Sequence, residues 1–214
     1  MSETNTSVKQ DIENGALLLI GAQEITDFNN TTDNKIKTLN NFYDVVKNKL
    51  LSLRSWTFAQ KRAELEADKN EGAYVEHDDY FKYSFTLPAD YIKLLTVSRH
   101  EALDSFYPDY EVRGNKIMAA VPVLYVKYTF SPNETDLPHT FRDLLKNALA
   151  AEICYKITGD KNNQQVIYQK VWGSPSDNLK GGLFGFYAKA DAAQNPSRQM
   201  KSAPMRFARW EGVR

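Results

Sequence analysis

The chain has 214 residues, of which 42% are hydrophobic and 25% charged, and its 27 basic side chains balance 27 acidic ones. These values are typical of a globular protein with one core, or one core and a smaller lobe, and give no global electrostatic signal for nucleic acid. The apolar run Ala16 to Ile20 is too short to span a bilayer, and the first residues lack the pattern of a secretion signal. We therefore expect a cytoplasmic protein whose single cysteine, Cys154, is a buried small hydrophobe.

Two amphipathic helices are predicted first. Residues 7–21 repeat apolar side chains at helical spacing, among them Ile12, Ala16, Leu19 and Ile20. Ser7 is the expected N-cap of this helix and Gly21 its end. A second helix is predicted to begin after Thr32 or Asp33 and to end near Leu53.

The pattern then changes to that of strands. Trp56 and Phe58 are predicted to begin an extended segment in which both rings share one face, at the seam between the second helix and the sheet. Residues 66–80 are polar and acidic and predict a loop, and residues 81–86 alternate as in a half-buried strand. Residues 90–95 predict a short helical turn.

Further strand signals follow. Residues 110–118 predict a hairpin that turns near Gly114, and residues 123–128 are rich in β-branched and aromatic side chains. Together these segments predict one small antiparallel sheet in the middle of the chain.

Helices return at Pro138. A strongly apolar third helix is predicted to end at Gly159, and a fourth to run from Lys161 to Trp172. The Gly-Ser-Pro sequence at 173–175 interrupts the helical pattern, and a short helix is predicted over about 183–194.

The predicted fold class is therefore α+β, mainly α. Residues 1–55 and 138–194 form a helical bundle, and residues 56–137 are an inserted β-sheet region. Residues 195–214 have no clear periodicity and contain two prolines, so we expect an extended basic arm that orders only on a partner.

Motifs for catalysis or cofactor binding are missing from the sequence. There is no phosphate-binding glycine loop, dinucleotide fingerprint, paired-cysteine site or histidine pair on a helix. The acidic side chains Glu76, Asp78 and Asp79 lie together, but they lack the ordered oxygen spacing and turn glycine of a calcium loop. We predict no catalytic residue, no cofactor and no metal site.

Two segments are candidates for contact with other molecules. The sequence KGGLFGFY at 180–187 predicts a contact loop or packed turn, in preference to a phosphate loop or a membrane-inserting tip, with four side chains available: Leu183, Phe184, Phe186 and Tyr187.

The second candidate is the basic arm, where residues 196–214 carry five basic side chains and one acidic one, whereas residues 1–30 carry one basic and five acidic. The arm residues of interest are Arg198, Lys201, Arg206, Phe207, Arg209 and Trp210. They suit stacking on DNA or docking on a protein, and the modest charge density favours the protein.

Six stretches, taken in order, resemble the head-to-tail adaptor (connector) family of tailed phages, including the tail tubular proteins A of short-tailed phages and ring proteins of crAss-like phages. The stretches are ALLLIGAQEI, LRSWTFAQKRAEL, FTLPADYIKLLTV, YEVRGNKI, VLYVKYTFSP and LPHTFRDLLKNALAAEICYKITGD, within residues 12–172. The marker positions in them are Trp56, Phe58, Pro88, Asp90, Gly114 and Phe141. The family's last long helix usually continues where this chain has GSPSDNLKGGLFG.

The resemblance implies a structural virion protein at the head–tail junction, assembled in the host cytoplasm. It implies a homo-oligomeric ring, commonly of twelve copies, that binds the portal protein above and a tail tube or nozzle protein below. Double-stranded DNA would pass through the lumen without sequence-specific contacts, and the arm at 195–214 would reach the portal. The family carries no catalytic residues.

Two other functions remain open. One is a cytosolic nucleic-acid-binding module that uses the Arg-rich arm, for which binding should weaken steeply with salt. The other is an enzyme that holds a metal ion on the acidic 76–79 segment.

Overall fold

The computed structural model describes residues 2–30, 33–68, 80–103, 105–178 and 180–194. Over these residues the fold is α+β and mainly α, with five α-helices and two three-stranded antiparallel sheets. The acidic cluster at 76–79 and the arm at 195–214 lie outside the described residues.

The first two helices are α1, Ser2–Leu19, and α2, Asn34–Leu53. Because α1 begins before Ser7, the predicted N-cap is wrong, whereas its predicted end is confirmed by Gly21, which follows in the left-handed region at φ +76°. In α2 the N-cap is Asp33, whose carboxylate accepts a 2.8 Å hydrogen bond from the amide of Lys35. The prediction for α2 is confirmed at both ends.

Three further helices are α3, His139–Thr158, α4, Lys161–Trp172, and α5, Gly182–Gln194, as predicted. The amide of Gly159, in the left-handed region at φ +71°, donates to the carbonyl of Tyr155 and ends α3. All four other helices pack on α3, which explains its wide apolar face.

Six strands connect the two halves of the helical region. Their bounds are β1 Gln60–Glu66, β2 Tyr83–Thr86, β3 Tyr91–Ser98, β4 Tyr110–Arg113, β5 Lys116–Ala119 and β6 Val123–Phe130. One sheet has the order β1-β6-β3 and the other β2-β5-β4, so the single predicted sheet is in fact two. The β4–β5 hairpin turns at Gly114, as predicted.

Buried apolar side chains form two clusters. The larger fills the helical region with side chains from α1 to α5, and the smaller lies among the strands and includes Phe85, Val97, Ile117 and Val126. Both sheets contribute to the smaller cluster, so they bury their apolar faces together.

Two local predictions are wrong. Residues 57–59 form a 3-10 turn, so Trp56 and Phe58 do not begin a strand. Residues 91–95 belong to β3 and not to a helical turn, and β3 has register shifts against β6 at two points. Such bulges break the strict alternation by which a strand is detected in a sequence.

Candidate functional site

Trp56 lies where α2 gives way to the strands, and it is buried at 2% exposure. Its indole Nε1 donates a 2.9 Å hydrogen bond to the carbonyl of Leu50, in the last turns of α2. Its ring lies edge-on to Phe141 at 5.3 Å and to Phe184 at 6.0 Å. Trp56 therefore fixes α2 against α3 and α5, as the prediction of a packed joint requires.

Phe58 extends the same packing, with its ring centroid 5.0 Å from that of Phe141. Both aromatic side chains belong to the helical cluster and not to the strand cluster. The joint thus packs on the helical side of the seam.

The aromatic packing continues from the core to the surface. Phe184 lies 5.6 Å from Trp172, and Trp172 lies 6.1 Å from Tyr168, which is exposed on α4. Successive rings therefore connect the buried joint at Trp56 with the outside of α4. Sequence periodicity alone did not indicate this row, because its members come from four separate segments.

Residues 183–187, predicted as a contact loop or packed turn, form the first turns of α5, in agreement with the helix predicted over about 183–194 and not with a loop. Phe184 is buried in the helical cluster, and Leu183 and Tyr187 pack partly against it. The hydroxyl of Tyr187 also donates a 2.7 Å hydrogen bond to Asp143 on α3. Phe186 is the one side chain of the four that is largely exposed.

The glycines of this segment allow close backbone packing. A Cβ at Gly182, which has φ +60°, would lie 2.5 Å from backbone atoms of Gly173 and Val171. A Cβ at Gly185 would lie 2.1 Å from the carbonyl oxygen of Lys180. The glycines therefore allow the start of α5 to pack closely against the end of α4. This close packing explains the glycine-rich sequence without a role in phosphate binding.

An open groove lies beside Trp172, between the ends of α2 and α4. Its volume is about 510 Å³, and its apolar lining comes from Leu53, Tyr168, Trp172 and Pro175. Lys49 also lines it, with Nζ 5.0 Å from the centroid of the Trp172 ring. We name this cavity the α2/α4 groove.

Electrostatically, the α2/α4 groove is close to neutral. The ammonium group of Lys49 lies 2.9 Å from the carboxylate of Glu152, which balances its charge. The remaining lining is polar and uncharged, with the amide side chains of Gln165, Gln169 and Asn178 and the hydroxyl of Ser174.

Asp90, another marker position, ties the two ends of the strand region together. Its carboxylate accepts hydrogen bonds from Lys61 Nζ at 2.6 Å and from the Tyr128 hydroxyl at 3.0 Å. Burial acts to raise the pKa of Asp90, but these two donors outweigh it and hold the pKa below its usual value. Burial and the nearby Asp90 carboxylate raise the pKa of Tyr128 to about 12.

The other marker positions in this region are structural. The carbonyl of Pro88 accepts a 3.0 Å hydrogen bond from the amide of Tyr91, which turns the chain into β3. Gly114 has φ +60° at the hairpin turn.

A buried carboxyl group lies on α1. Glu13 is 2% exposed, its Oε1 accepts no hydrogen bond, and the ammonium group of Lys9 is 3.8 Å away. Burial raises the pKa of Glu13 to about 7, which Lys9 partly offsets and which Asp44 and Glu134 reinforce.

The sequence contained a signal for this group, because Glu13 stands three and four residues before Ala16 and Leu17, both fully buried. The predicted apolar face used Leu19, which is exposed, and so missed it.

A second ionic group is buried nearby on α2. Lys47 Nζ donates to the carbonyl of Pro132 at 2.7 Å and to the carboxylate of Glu134 at 2.9 Å. Both partners belong to the segment that leads from β6 into α3. Lys47 and Glu134 therefore hold α2 against the segment that precedes α3.

Large apolar side chains also remain outside the core. Leu18 on α1, Val45 on α2, Val166 on α4 and Phe186 on α5 are each more than half exposed. Helices from both halves of the sequence thus carry apolar surface.

The remaining sequence candidates do not come together in the described part of the chain. His100 and His139 are exposed and far apart in the sequence, while His77 lies outside the described residues. Among the residues with described positions, no three His, Cys, Asp or Glu side chains are grouped so as to hold a metal ion. The arm residues at 198–210 also lie outside.

No described helix is both long enough and apolar enough to cross a membrane. In comparisons with known proteins, no protein-family model and no curated protein matches this chain.

Proposed function

We propose that this protein is a head-to-tail adaptor of a tailed phage, a structural virion protein at the head–tail junction that forms a ring below the portal. In this role the ring joins the capsid to the tail tube or nozzle protein and lines the channel for double-stranded DNA. The proposal starts from the order of six sequence stretches that resemble the adaptor family.

The observation that carries the proposal is the position of the markers. Trp56, Phe58 and Phe141 meet in one packed joint, although Phe141 is more than 80 residues away in the sequence. Asp90 joins β1 to β6 through Lys61 and Tyr128. The residues on which the family resemblance rests therefore also make the contacts that hold the helical bundle and its strand insertion together.

Exposed apolar side chains provide a second argument. A closed ring needs a heterologous contact, in which two different surfaces of each subunit meet. Leu18 and Val45 lie on helices of the first half, and Val166 and Phe186 on helices of the second half. Separate apolar surfaces of this kind suit head-to-tail contact between copies.

The test is reconstitution with the portal protein, followed by electron microscopy and mass measurement. We expect rings on the portal, of about twelve copies as the resemblance implies, and loss of docking when residues 196–214 are removed. A protein that stays monomeric beside the portal at high concentration would refute the proposal.

Variants can test the subunit surface in the same assay. Phe186→Ser should weaken the ring without unfolding the subunit, because the ring of Phe186 is 66% exposed. Phe106→Ser is the control, since Phe106 is 63% exposed but lies in the strand region. Equal loss of rings in both variants would contradict an interface on the helices.

DNA binding distinguishes the alternative function. A nucleic-acid-binding module would bind duplex DNA in the absence of the portal, with affinity that falls steeply as salt rises. Removal of residues 196–214 would then abolish DNA binding, whereas an adaptor would lose portal docking.

A further inference from the structure

The carboxyl group of Glu13 lies in a buried polar cluster where α1 meets the rest of the helical region. Tyr43 on α2 belongs to the same cluster and is fully buried. Neither Glu13 Oε1 nor the Tyr43 hydroxyl has a hydrogen-bond partner among the residues that the structure describes. Lys9 connects the two groups, because its Nζ lies 3.8 Å from Glu13 Oε1 and 4.7 Å from the centroid of the Tyr43 ring. An ionised Glu13 therefore depends on one partly exposed cation.

Two neighbouring carboxylates oppose ionisation of Glu13. Asp44 comes from α2, and Glu134 comes from the 3-10 turn Glu134–Asp136 that precedes α3. The nearby cation Lys47 is already paired with Glu134 at 2.9 Å. Burial is the main cause that raises the pKa of Glu13 to about 7, and the attraction of Lys9 offsets only part of it.

The third element packed against α1 is α3, and its cations have partners of their own. Arg142, which acts on the Tyr43 hydroxyl, donates a 2.8 Å hydrogen bond to the carbonyl of Thr135. Lys146 pairs with Asp143 at 2.8 Å. These side chains and the exposed His139 lie beside Asp11 and Ile12 on α1. The described part of α3 thus supplies no ion pair to Glu13.

The helix that carries Glu13 depends on docking for its stability. Gly15 lies inside α1, and glycine is among the weakest helix formers. A Cβ at Gly15 would lie 2.7 Å from the side chain of Lys146, so this glycine allows α1 to approach α3 closely. Helices of this length gain most of their stability from packing of the apolar face, which here includes Ile12, Ala16 and Leu17. Loss of docking should therefore also loosen the helix.

The segment after α1 is attached to α1 itself. The side chain of Asn14 donates to the carbonyl of Ile25 at 3.1 Å and accepts from the Ile25 amide at 2.9 Å. Ile25 is buried in the helical cluster together with α1. Residues 2–25 therefore form one unit that docks on α3 and on the turn Glu134–Asp136.

The direction of the pH effect follows from proton linkage. In an undocked α1 the Glu13 carboxyl is in water with its ordinary pKa of 4.5, whereas in the docked helix its pKa is about 7. Below pH 4.5 both forms hold the proton, and docking is strongest. Docking weakens as pH rises from 4.5 to about 7, and above this range it is weaker by roughly 300-fold.

We propose that α1, with the chain up to Ile25, acts as a pH-dependent switch that is docked while Glu13 holds a proton and opens as one unit more readily when Glu13 is ionised. The inference rests on the buried cluster of Glu13, Tyr43 and Lys9 and does not depend on the proposed function. Opening uncovers the surface of α3 and of the turn Glu134–Asp136 that α1 covers, so a partner would reach this surface more readily above neutral pH.

Amide hydrogen exchange of the full chain at pH 5 and pH 8, corrected for the intrinsic exchange rate, measures the opening of α1. In the wild type the opening constant for amides 12–19 should be about 50- to 100-fold larger at pH 8 than at pH 5. Glu13→Gln should reduce this difference to less than about threefold, because glutamine does not titrate. His139→Gln is the matched control, since it changes a titratable side chain where α3 meets α1 and should keep the wild-type dependence.

Amides of β6 distinguish opening of α1 from unfolding of the whole chain. Because β6 is the central strand of its sheet, its amides report the rarest openings. At pH 8 the opening constant for α1 should exceed that for β6 by at least about tenfold. Equal constants would overturn the proposal, since α1 would then open only with the rest of the fold. A pH dependence that is missing in the wild type, or that persists in Glu13→Gln, would also overturn it.

Discussion

Replacing Glu13 by glutamine should make the protein more stable above neutral pH. Glu13 is on the same buried face of α1 as Ala16 and Leu17, and its Oε1 accepts no hydrogen bond. Ionisation therefore places a charge in a buried site where Lys9, at 3.8 Å, attracts it and Asp44 and Glu134 repel it. Glutamine keeps the shape of the side chain and removes the charge.

The pKa difference gives the size of the effect. Burial raises the pKa of Glu13 from 4.5 to about 7. At about 1.4 kcal/mol per pKa unit, an ionised Glu13 costs the folded state roughly 3 kcal/mol. This pKa already includes the favourable interaction with Lys9, so the expected net gain on removing the charge is about 2–3 kcal/mol.

The sign follows from proton linkage. Below pH 4.5 both folded and unfolded chains hold the proton, and Glu13 costs nothing. Between pH 4.5 and about 7 the unfolded chain loses the proton first, so stability falls as pH rises. Above about pH 7 both states are ionised and the full cost remains.

Urea unfolding of the monomer at pH 4, 6 and 8.5 measures this dependence. We expect Glu13→Gln to match the wild type at pH 4 and to gain about 2–3 kcal/mol at pH 8.5. Glu24→Gln, which changes an exposed carboxylate, is the control and should show little change at any pH. A difference between Glu13→Gln and the wild type that does not vary with pH would refute the reasoning.

Three other predictions concern stability and use urea unfolding as the measurement. Trp56→Ala should cost about 3–5 kcal/mol, because it leaves a cavity in the aromatic row, and a loss below about 1 kcal/mol would contradict a central role for the joint. Gly182→Ala should cost clearly more than Gly114→Ala, for which about 1–2 kcal/mol is expected, since both glycines have φ +60° but only Gly182 lacks space for a Cβ. Equal losses of stability in the two variants would show that the backbone at Gly182 can move away from Gly173 and Val171 and make room for a Cβ. Asp191→Ala should cost about 1–3 kcal/mol, because it leaves the Thr57 amide and hydroxyl without their shared acceptor; an unchanged unfolding midpoint would contradict this.

Helices with clear end signals were predictable from the sequence. Asp33 before α2 and Gly159 after α3 are a cap and a left-handed stop, and both act as such in the structure. The β4–β5 hairpin was likewise predictable, because Gly114 marks a tight turn between short strands. In each case a single residue next to the helix or strand determines where that element ends, so the sequence alone is sufficient to predict the boundary.

The errors occur where tertiary contacts decide the local structure. The bulges of β3 against β6 place Ile92, Leu94 and Leu95 out of strict alternation, so the sequence resembled a helical turn. The segment 180–187 was predicted as a contact loop or packed turn, although a helix was also predicted over about 183–194. The structure has the helix, in which a Cβ at Gly182 would meet the backbone at the end of α4 and a Cβ at Gly185 would meet the carbonyl of Lys180. The α2/α4 groove also depended on distant segments and had no local signal.

The distribution of the two cores along the chain has a consequence for synthesis on the ribosome. Among the described residues, the buried side chains of the strand cluster lie within 65–128, whereas the helical cluster includes both Ile12 and Phe184. The strand region can therefore close its core while α3 is still being made, but α1 and α2 must wait for the second half of the chain. During that interval the apolar faces of α1 and α2 lack the side chains of α3 to α5 that cover them in the finished fold, which makes them the part of the nascent protein most exposed to aggregation and most in need of a chaperone.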